Sequence, residues 1–250
     1  LLAGLEAGIP GRLCYHLATA EPSACADELA CGNAVAGLIP VAALPEIPDA
    51  FALPSLGVAA RREVRSVLLI ARQPLSRIRT LAAHTASRTS VVLARLLLAE
   101  RWGARPQVVP ARPPLSAMLE IAEAAVLIGD PALRVCGRTG FEEVDLAAAW
   151  AEWTGLPFVF AVWGVRDPAP SGIGRLLEES FTFAAEHWAQ LVPQWAEAHD
   201  VDVAATRDYL GETLSYRLAD AERKGAEEFL RRAADAGLLH GRREVWRAVE

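Results

Sequence analysis

Thr85-Ala86-Ser87-Arg88-Thr89-Ser90 is the stretch on which the reading of this chain turns. It follows the apolar run Ile78–Ala83, which has the length of a buried strand, and it opens the helical run Val91–Trp102. A strand that turns directly into a helix is the repeating unit of α/β proteins. Such a turn is also suited to anions. The first helical amides lack intrahelical acceptors, and the helix dipole adds partial positive charge there. Ser87, Thr89 and Ser90 contribute hydroxyl donors, and Arg88 a planar cation that matches a carboxylate. An ordinary N-cap, with Arg88 in solvent, accounts for the same residues. Yet one hydroxyl is enough for a cap and this turn has several, an excess that points to a small anionic ligand.

Working outward, Leu13–Ala18 reads as a strand, Ala24–Cys31 as a helix stopped by Gly32, and Ala34–Val41 as a strand buried on both faces. Together they form a βαβ unit. Val64–Ala71 is a further strand linking two halves. Pro106–Val109, Ala125–Gly129 and Phe158–Trp163 follow as strands, with helices at Leu115–Glu123 and Val144–Trp153. Ile173–Ala198 and Val203–Leu239 are amphipathic, helical and free of strand signals, with a kink expected at Pro193 and a core stripe at Leu210, Leu214 and Leu218. This pattern predicts an α/β protein with two lobes. The turns at Pro40, Ser87 and Asp130 all follow strands, where open α/β sheets bind ligands.

At 250 residues, 52% hydrophobic and 22% charged, the chain is globular and near the upper limit for one core. A net charge of −6 with no basic stripe argues against a nucleic-acid partner, so an anion must be held by local groups. No apolar run spans a bilayer, and Leu1-Leu2-Ala3-Gly4 lacks the form of a secretory signal, so a cytoplasmic location is expected. Cys14, Cys25, Cys31 and Cys136 have no metal-ligand spacing and read as reduced, mostly buried thiols. The histidines form no HExxH pair, and Gly172-Ile173-Gly174 is too short for a phosphate loop. His84, beside the Ser/Thr turn, is the candidate acid–base group. Ser66 lies in the linking strand, where it borders a cleft or is merely a small polar residue. Gly129 allows close approach of a ligand, and Asp130 either accepts from a substrate hydroxyl or caps the turn with Pro131.

Several of these segments follow one another in an order that resembles a known family. They are Val64-Arg65-Ser66-Val67-Leu68-Leu69, Ile78-Arg79-Thr80-Leu81-Ala82, Ser87-Arg88-Thr89-Ser90 and Ile128-Gly129-Asp130-Pro131-Ala132-Leu133. Asp145-Leu146, Trp150 and the run Trp153–Ala161 continue the match. The chain is similar to chorismate dehydratase of the futalosine (menaquinone) pathway. The resemblance implies a two-lobed type II periplasmic-binding-protein-like fold with a helical C-terminal region. Residues 1–65 would begin the first lobe, 66–163 would form the second, and 164–250 would pack as helices mainly on the first. It further implies that chorismate loses water to give 3-[(1-carboxyvinyl)oxy]benzoate without metal or organic cofactor, and with no nucleic-acid or membrane partner.

By the same resemblance, Ser87, Thr89, Ser90 and neighbouring amides hold a carboxylate, while Ser66 and the Gly129-Asp130 turn fix the remainder. Arg88 either faces the ligand or ties the lobe together. The general base stays open between a protein group and a carboxylate of the substrate. A Ser-Tyr-Leu-Asn-like motif of the family, whose Asn lies in the active site, is expected to precede Leu1 together with a central strand of the first lobe. Alternatives are a small-carboxylate solute-binding protein, or a non-catalytic relative with the same two lobes. The sister enzyme that cleaves a cyclised futalosine derivative fits the Ser87–Ser90 and Gly129–Leu133 pattern less well.

Overall fold

The computed structural model describes residues 1–8, 13–241 and 245–249. In chain order the elements are α1 (Ala3–Glu6), α2 (Pro22–Cys31), β1 (Ala36–Pro40), β2 (Ala50–Ala60), β3 (Val67–Ala71), β4 (Thr80–His84), α3 (Thr89–Trp102), β5 (Gln107–Ala111) and α4 (Leu115–Ile121). There follow β6 (Ala124–Ile128), α5 (Asp130–Val135), β7 (Glu142–Asp145), α6 (Leu146–Thr154), β8 (Phe158–Arg166), α7 (Ile173–Glu186), α8 (Trp188–Ala198), α9 (Val203–Asp208), β9 (Ser215–Arg217) and α10 (Asp220–Asp235).

The strands form two sheets, in the orders β1-β8-β2-β9 and β5-β4-β6-β3-β7. In the five-stranded sheet β4 runs parallel to β5 and β6, while β3 is antiparallel to β6 and β7. Both faces of this sheet are covered, which is why its inner strands β3 and β6 are continuously apolar. Leu69, Leu81 and Val126 pack with Leu93 and Leu97 of α3, whereas Leu68, Ile70 and Leu127 pack with Met118 and Ala132 of α4 and α5. Each such aliphatic side chain contributes roughly 1.5–3 kcal/mol on burial. The chain crosses between sheets twice, through residues 61–66 into β3 and from α6 into β8. At the second crossing α10 comes so close that a Cβ at Gly225 would lie 2.1 Å from the Pro157 carbonyl oxygen.

Several sequence expectations are corrected. Leu13–Ala18 is not a strand: the segment is largely exposed and, among the described residues, has no ladder partner to satisfy its backbone groups. The first βαβ unit therefore does not form, although α2 is present and stops at Gly32 with φ 80°. β1 instead pairs antiparallel with β8 and is only partly buried. β8, expected in the second lobe, is an inner strand of the four-stranded sheet. β2 escaped notice because Pro54 falls at an irregularity in its pairing, between Ala52 and Gly57. The charged edge strand β7 delays α6 until Leu146, where Asp145 caps it by accepting from Ala147 N and Ala148 N, each at 3.0 Å.

The C-terminal region holds a strand as well, since β9 pairs with β2 through Leu56↔Arg217 and Ala59↔Ser215. The helical break falls at His187, not at Pro193, which lies within α8. Leu210, Leu214 and Leu218 do not share one helix. Leu218 is core, Leu214 packs at the core margin, and Leu210 is half-buried in the π-helical turn Tyr209–Thr213. The cysteines, expected to be mostly buried, are not: Cys14 and Cys31 are exposed, and Cys25 and Cys136 only partly covered. No helix among the described residues is long and apolar enough to cross a membrane.

Candidate active site

Strand direction gathers the predicted site residues along one edge of the five-stranded sheet. The parallel strands β4, β5 and β6 end there, at His84, Ala111 and Ile128, while β3 begins there, with Val67 opposite Ile128. Ser66, His84, the Thr85–Ser90 turn and the Gly129-Asp130 turn therefore share an edge. The ends of β4 and β3 lie two interstrand spacings apart, about 10 Å.

At the head of α3, the Ser87 amide donates to the His84 carbonyl (3.0 Å), and Ser87 Oγ accepts from Ser90 N (3.2 Å). Ser87 thus caps the helix through its oxygen and keeps its own proton to donate. Among the described residues the Thr89 and Val91 amides donate to no protein acceptor. Arg88 lies beside the cavity, but its guanidinium is paired with Asp27 of α2, so it ties α2 to the α3 head. A half-exposed pair of this kind contributes at most about 1 kcal/mol.

Thr89 does not face a ligand as expected. Its buried hydroxyl accepts from Ala42 N (3.2 Å) and donates to the Phe160 carbonyl (3.0 Å). Phe160 sits at a bulge in the β2–β8 pairing, so its carbonyl is off the ladder, and Thr89 satisfies it across the sheets. Thr89→Val keeps the volume and leaves both backbone groups unpaired. A loss of roughly 2–3 kcal/mol in stability is expected, measured as a lower urea midpoint at unchanged slope.

His84 is 8% exposed, and its Nδ1 has no hydrogen-bond partner. Burial pushes its pKa down, opposed by the Glu21 carboxylate and assisted by Arg112; those two form an ion pair at 3.3 Å. The imidazole is accordingly held towards its neutral form. A cavity of about 360 Å³ is lined by His84, Ser87 and Arg88 on one side and by Ala42, Glu46 and Leu239 on the other. Two larger depressions are open grooves: one of about 610 Å³, lined by Arg77, Arg79 and Arg105, lies at the opposite end of β4, and one of about 600 Å³ is lined by Asp202, Arg207, Asp208 and Glu212.

The second corner is built on Ser66. Its carbonyl accepts from Gly129 N (2.7 Å), and its Oγ accepts from the Tyr209 hydroxyl (2.8 Å). Gly129 has φ 68° and ψ −149°, a conformation open essentially to glycine alone, and it delivers Asp130 to the start of α5. The preceding crossing is pinned by Asp145, which accepts from Val64 N (2.8 Å) and Arg65 N (2.6 Å), and by an Arg65–Asp208 ion pair at 2.8 Å. Burial pushes the Tyr209 phenol up in pKa, and the Asp130 carboxylate raises it further. Tyr209 was not singled out from sequence. Its one local signal is its place beside Leu210-Gly211, where the helix widens into a π turn, a distortion frequent at functional sites.

A family model described as menaquinone biosynthesis matches residues 3–235. A chorismate dehydratase of Thermus thermophilus is 31% identical over 195 residues, 71% of each chain. One from Campylobacter jejuni is 27% identical over 106 residues, 42% of this chain and 47% of its own. Among solved structures, a protein of Archaeoglobus fulgidus superposes with TM-score 0.75 at 15% identity, covering 95% of this chain and 93% of that one. The periplasmic aliphatic sulphonate binding protein SsuA of Escherichia coli gives 0.59 at 12%, covering 92% and 81%. These two likenesses establish the fold alone, and it is that of the periplasmic binding proteins.

Proposed function

The chain belongs to the menaquinone-biosynthesis family, and from that premise we propose that it is a cytoplasmic hydro-lyase converting chorismate to 3-[(1-carboxyvinyl)oxy]benzoate. The observation that carries this reading is the α3 head: unpaired amides at Thr89 and Val91 and the Ser87 hydroxyl beside a cavity. The head shares its sheet edge with Ser66, Gly129 and Asp130.

Chorismate carries two carboxylates and a ring hydroxyl. Loss of the ring proton beside the enolpyruvyl ether sends charge into the diene and the conjugated ring carboxylate. Departure of the hydroxyl then makes the ring aromatic. Fixed amides and hydroxyls at a helix N-terminus stabilise a carboxylate on which charge accumulates, and they need no reorganisation as it does so. Ser87 and Ser90 fit that role, and the Ser66–Gly129–Asp130 corner fits the hydroxyl end. His84, held towards neutrality by burial, lines the cavity as the protein group placed to accept the ring proton, and the substrate's own carboxylate is the alternative acceptor. In full-length protein incubated with chorismate, the ultraviolet spectrum of an aromatic product is expected to grow in. Tight binding of chorismate with no spectral change would replace the lyase with a binding protein.

A further inference from the structure

Ser66 is held from two sides. The Gly129 amide fixes its carbonyl at 2.7 Å, and the Tyr209 hydroxyl, 143 residues further along the chain, reaches its Oγ at 2.8 Å. Because Ser66 Oγ accepts from Tyr209, its own proton is left to donate, and among the described residues that proton meets no protein acceptor. Ser66 is only 3% exposed, so the direction of its hydroxyl is set by the groups packed around it. A buried hydroxyl with one lone pair occupied and its proton unassigned is a donor set for an incoming oxygen.

We infer that Tyr209 is a positioning residue that turns the Ser66 hydroxyl into an oriented hydrogen-bond donor for the hydroxyl group the substrate loses. The inference rests on the dehydratase reading above and adds to it a residue from the far end of the chain. Tyr209 itself keeps its proton. Its phenol is partly buried, with the Asp130 carboxylate close enough to oppose a phenolate, so it acts through Ser66 and not as the acid. The neighbouring framework is set for this task. The Arg65–Asp208 ion pair joins the residues immediately before Ser66 and Tyr209, and Asp145 anchors the backbone at Arg65, which has φ 60°. Without the Tyr209 hydroxyl, the Ser66 proton can rotate toward any nearby acceptor, and the orientation is lost while the side chain remains.

The test is a double-mutant cycle on full-length protein with chorismate as substrate: parent, Tyr209→Phe, Ser66→Ala and the double variant. Tyr209→Phe is expected to lower kcat about tenfold, the equivalent of one net hydrogen bond, with KM within about twofold because ground-state binding is left in place. Once Ser66 is alanine, Tyr209→Phe should cost nothing further, since the pair acts as a unit. Thermal melting of all four proteins separates this from a packing defect; a structural role would move the midpoint and leave kcat of the folded protein alone. An active parent whose Tyr209→Phe variant keeps its kcat overturns the inference by itself. So do two single effects that multiply in the double variant. A parent that leaves chorismate untouched overturns the dehydratase reading, and the inference falls with it.

Discussion

Ser87→Asp is expected to melt within about 2 °C of the parent and to lose chorismate turnover by a factor of 1,000 or more. Asp is as good an N-cap acceptor as Ser, so the bond from Ser90 N to residue 87 survives the change. Its charge also suits the positive end of α3, an effect of about 0.3–1 kcal/mol. Stability should hardly move, since about 1 kcal/mol shifts the midpoint of a chain this long by only ~2–4 °C. Binding is another matter. The substitution removes a donor and sets a carboxylate where the substrate's own must lie. The lost charge-assisted bond is of order 1.5–3 kcal/mol, and two like charges at 4 Å add about 4 kcal/mol at an effective dielectric of 20. Ser87→Ala provides the contrast: it gives up the cap, about 1 kcal/mol of stability, and one donor, roughly 10- to 100-fold in kcat/KM. A fully active Ser87→Asp enzyme would place the substrate away from the head of α3.

What could be read from sequence follows the range over which each feature is decided. The turn at Ser87, the stop at Gly32 and the glycine before Asp130 are set by residues a few positions apart, and all three stand where the sequence placed them. Pairing is decided at a distance. Leu13–Ala18 is mostly apolar, as a strand can be, but a strand exists only beside another, and none lies there among the described residues. Thr89 looks like one more hydroxyl of the anion turn. That it answers Phe160, 71 positions onward, depends on a bulge that nothing near Phe160 announces. Tyr209 is the extreme case: its partner Ser66 is 143 residues away, and its own neighbourhood reads as a helix end. Arg88 was open between ligand and lobe, and Asp27, which no local pattern links to it, decides where the guanidinium goes. Chemistry carried by a helix terminus is therefore visible in one segment, while chemistry carried by a contact between lobes is not.

Trp150→Ala is expected to cost about 3–5 kcal/mol, a large share of the roughly 5–15 kcal/mol that holds a protein of this kind folded. Trp150 is fully buried on α6, where the chain leaves the five-stranded sheet to enter β8. Its ring meets Phe158 at 5.6 Å, Trp153 at 5.9 Å and Phe229 of α10 at 6.1 Å, all edge-on, and its Nε1 donates to the Pro157 carbonyl at 3.2 Å. Truncation leaves a void at the second crossing and an orphaned carbonyl in the segment that α10 approaches through Gly225. Trp150→Phe keeps a ring in place and is expected to lose about 1–3 kcal/mol, chiefly from the unpaired Pro157 oxygen. Urea unfolding followed by far-ultraviolet circular dichroism measures both, as lower midpoints in the order parent, Phe, Ala. Equal midpoints for parent and Ala would mean that the crossing is held elsewhere. Catalysis should feel the same change, because Phe158 also stacks edge-on with Phe160 at 4.9 Å, and the Phe160 carbonyl is what Thr89 holds. A loosened crossing lets β8 drift from the head of α3, so Trp150→Phe is expected to lose activity at temperatures where it is still fully folded. The aromatic cluster and the anion-binding helix are in that sense one mechanical unit, joined through the Phe160 carbonyl and through the packing of α6, β8 and α10 on α3.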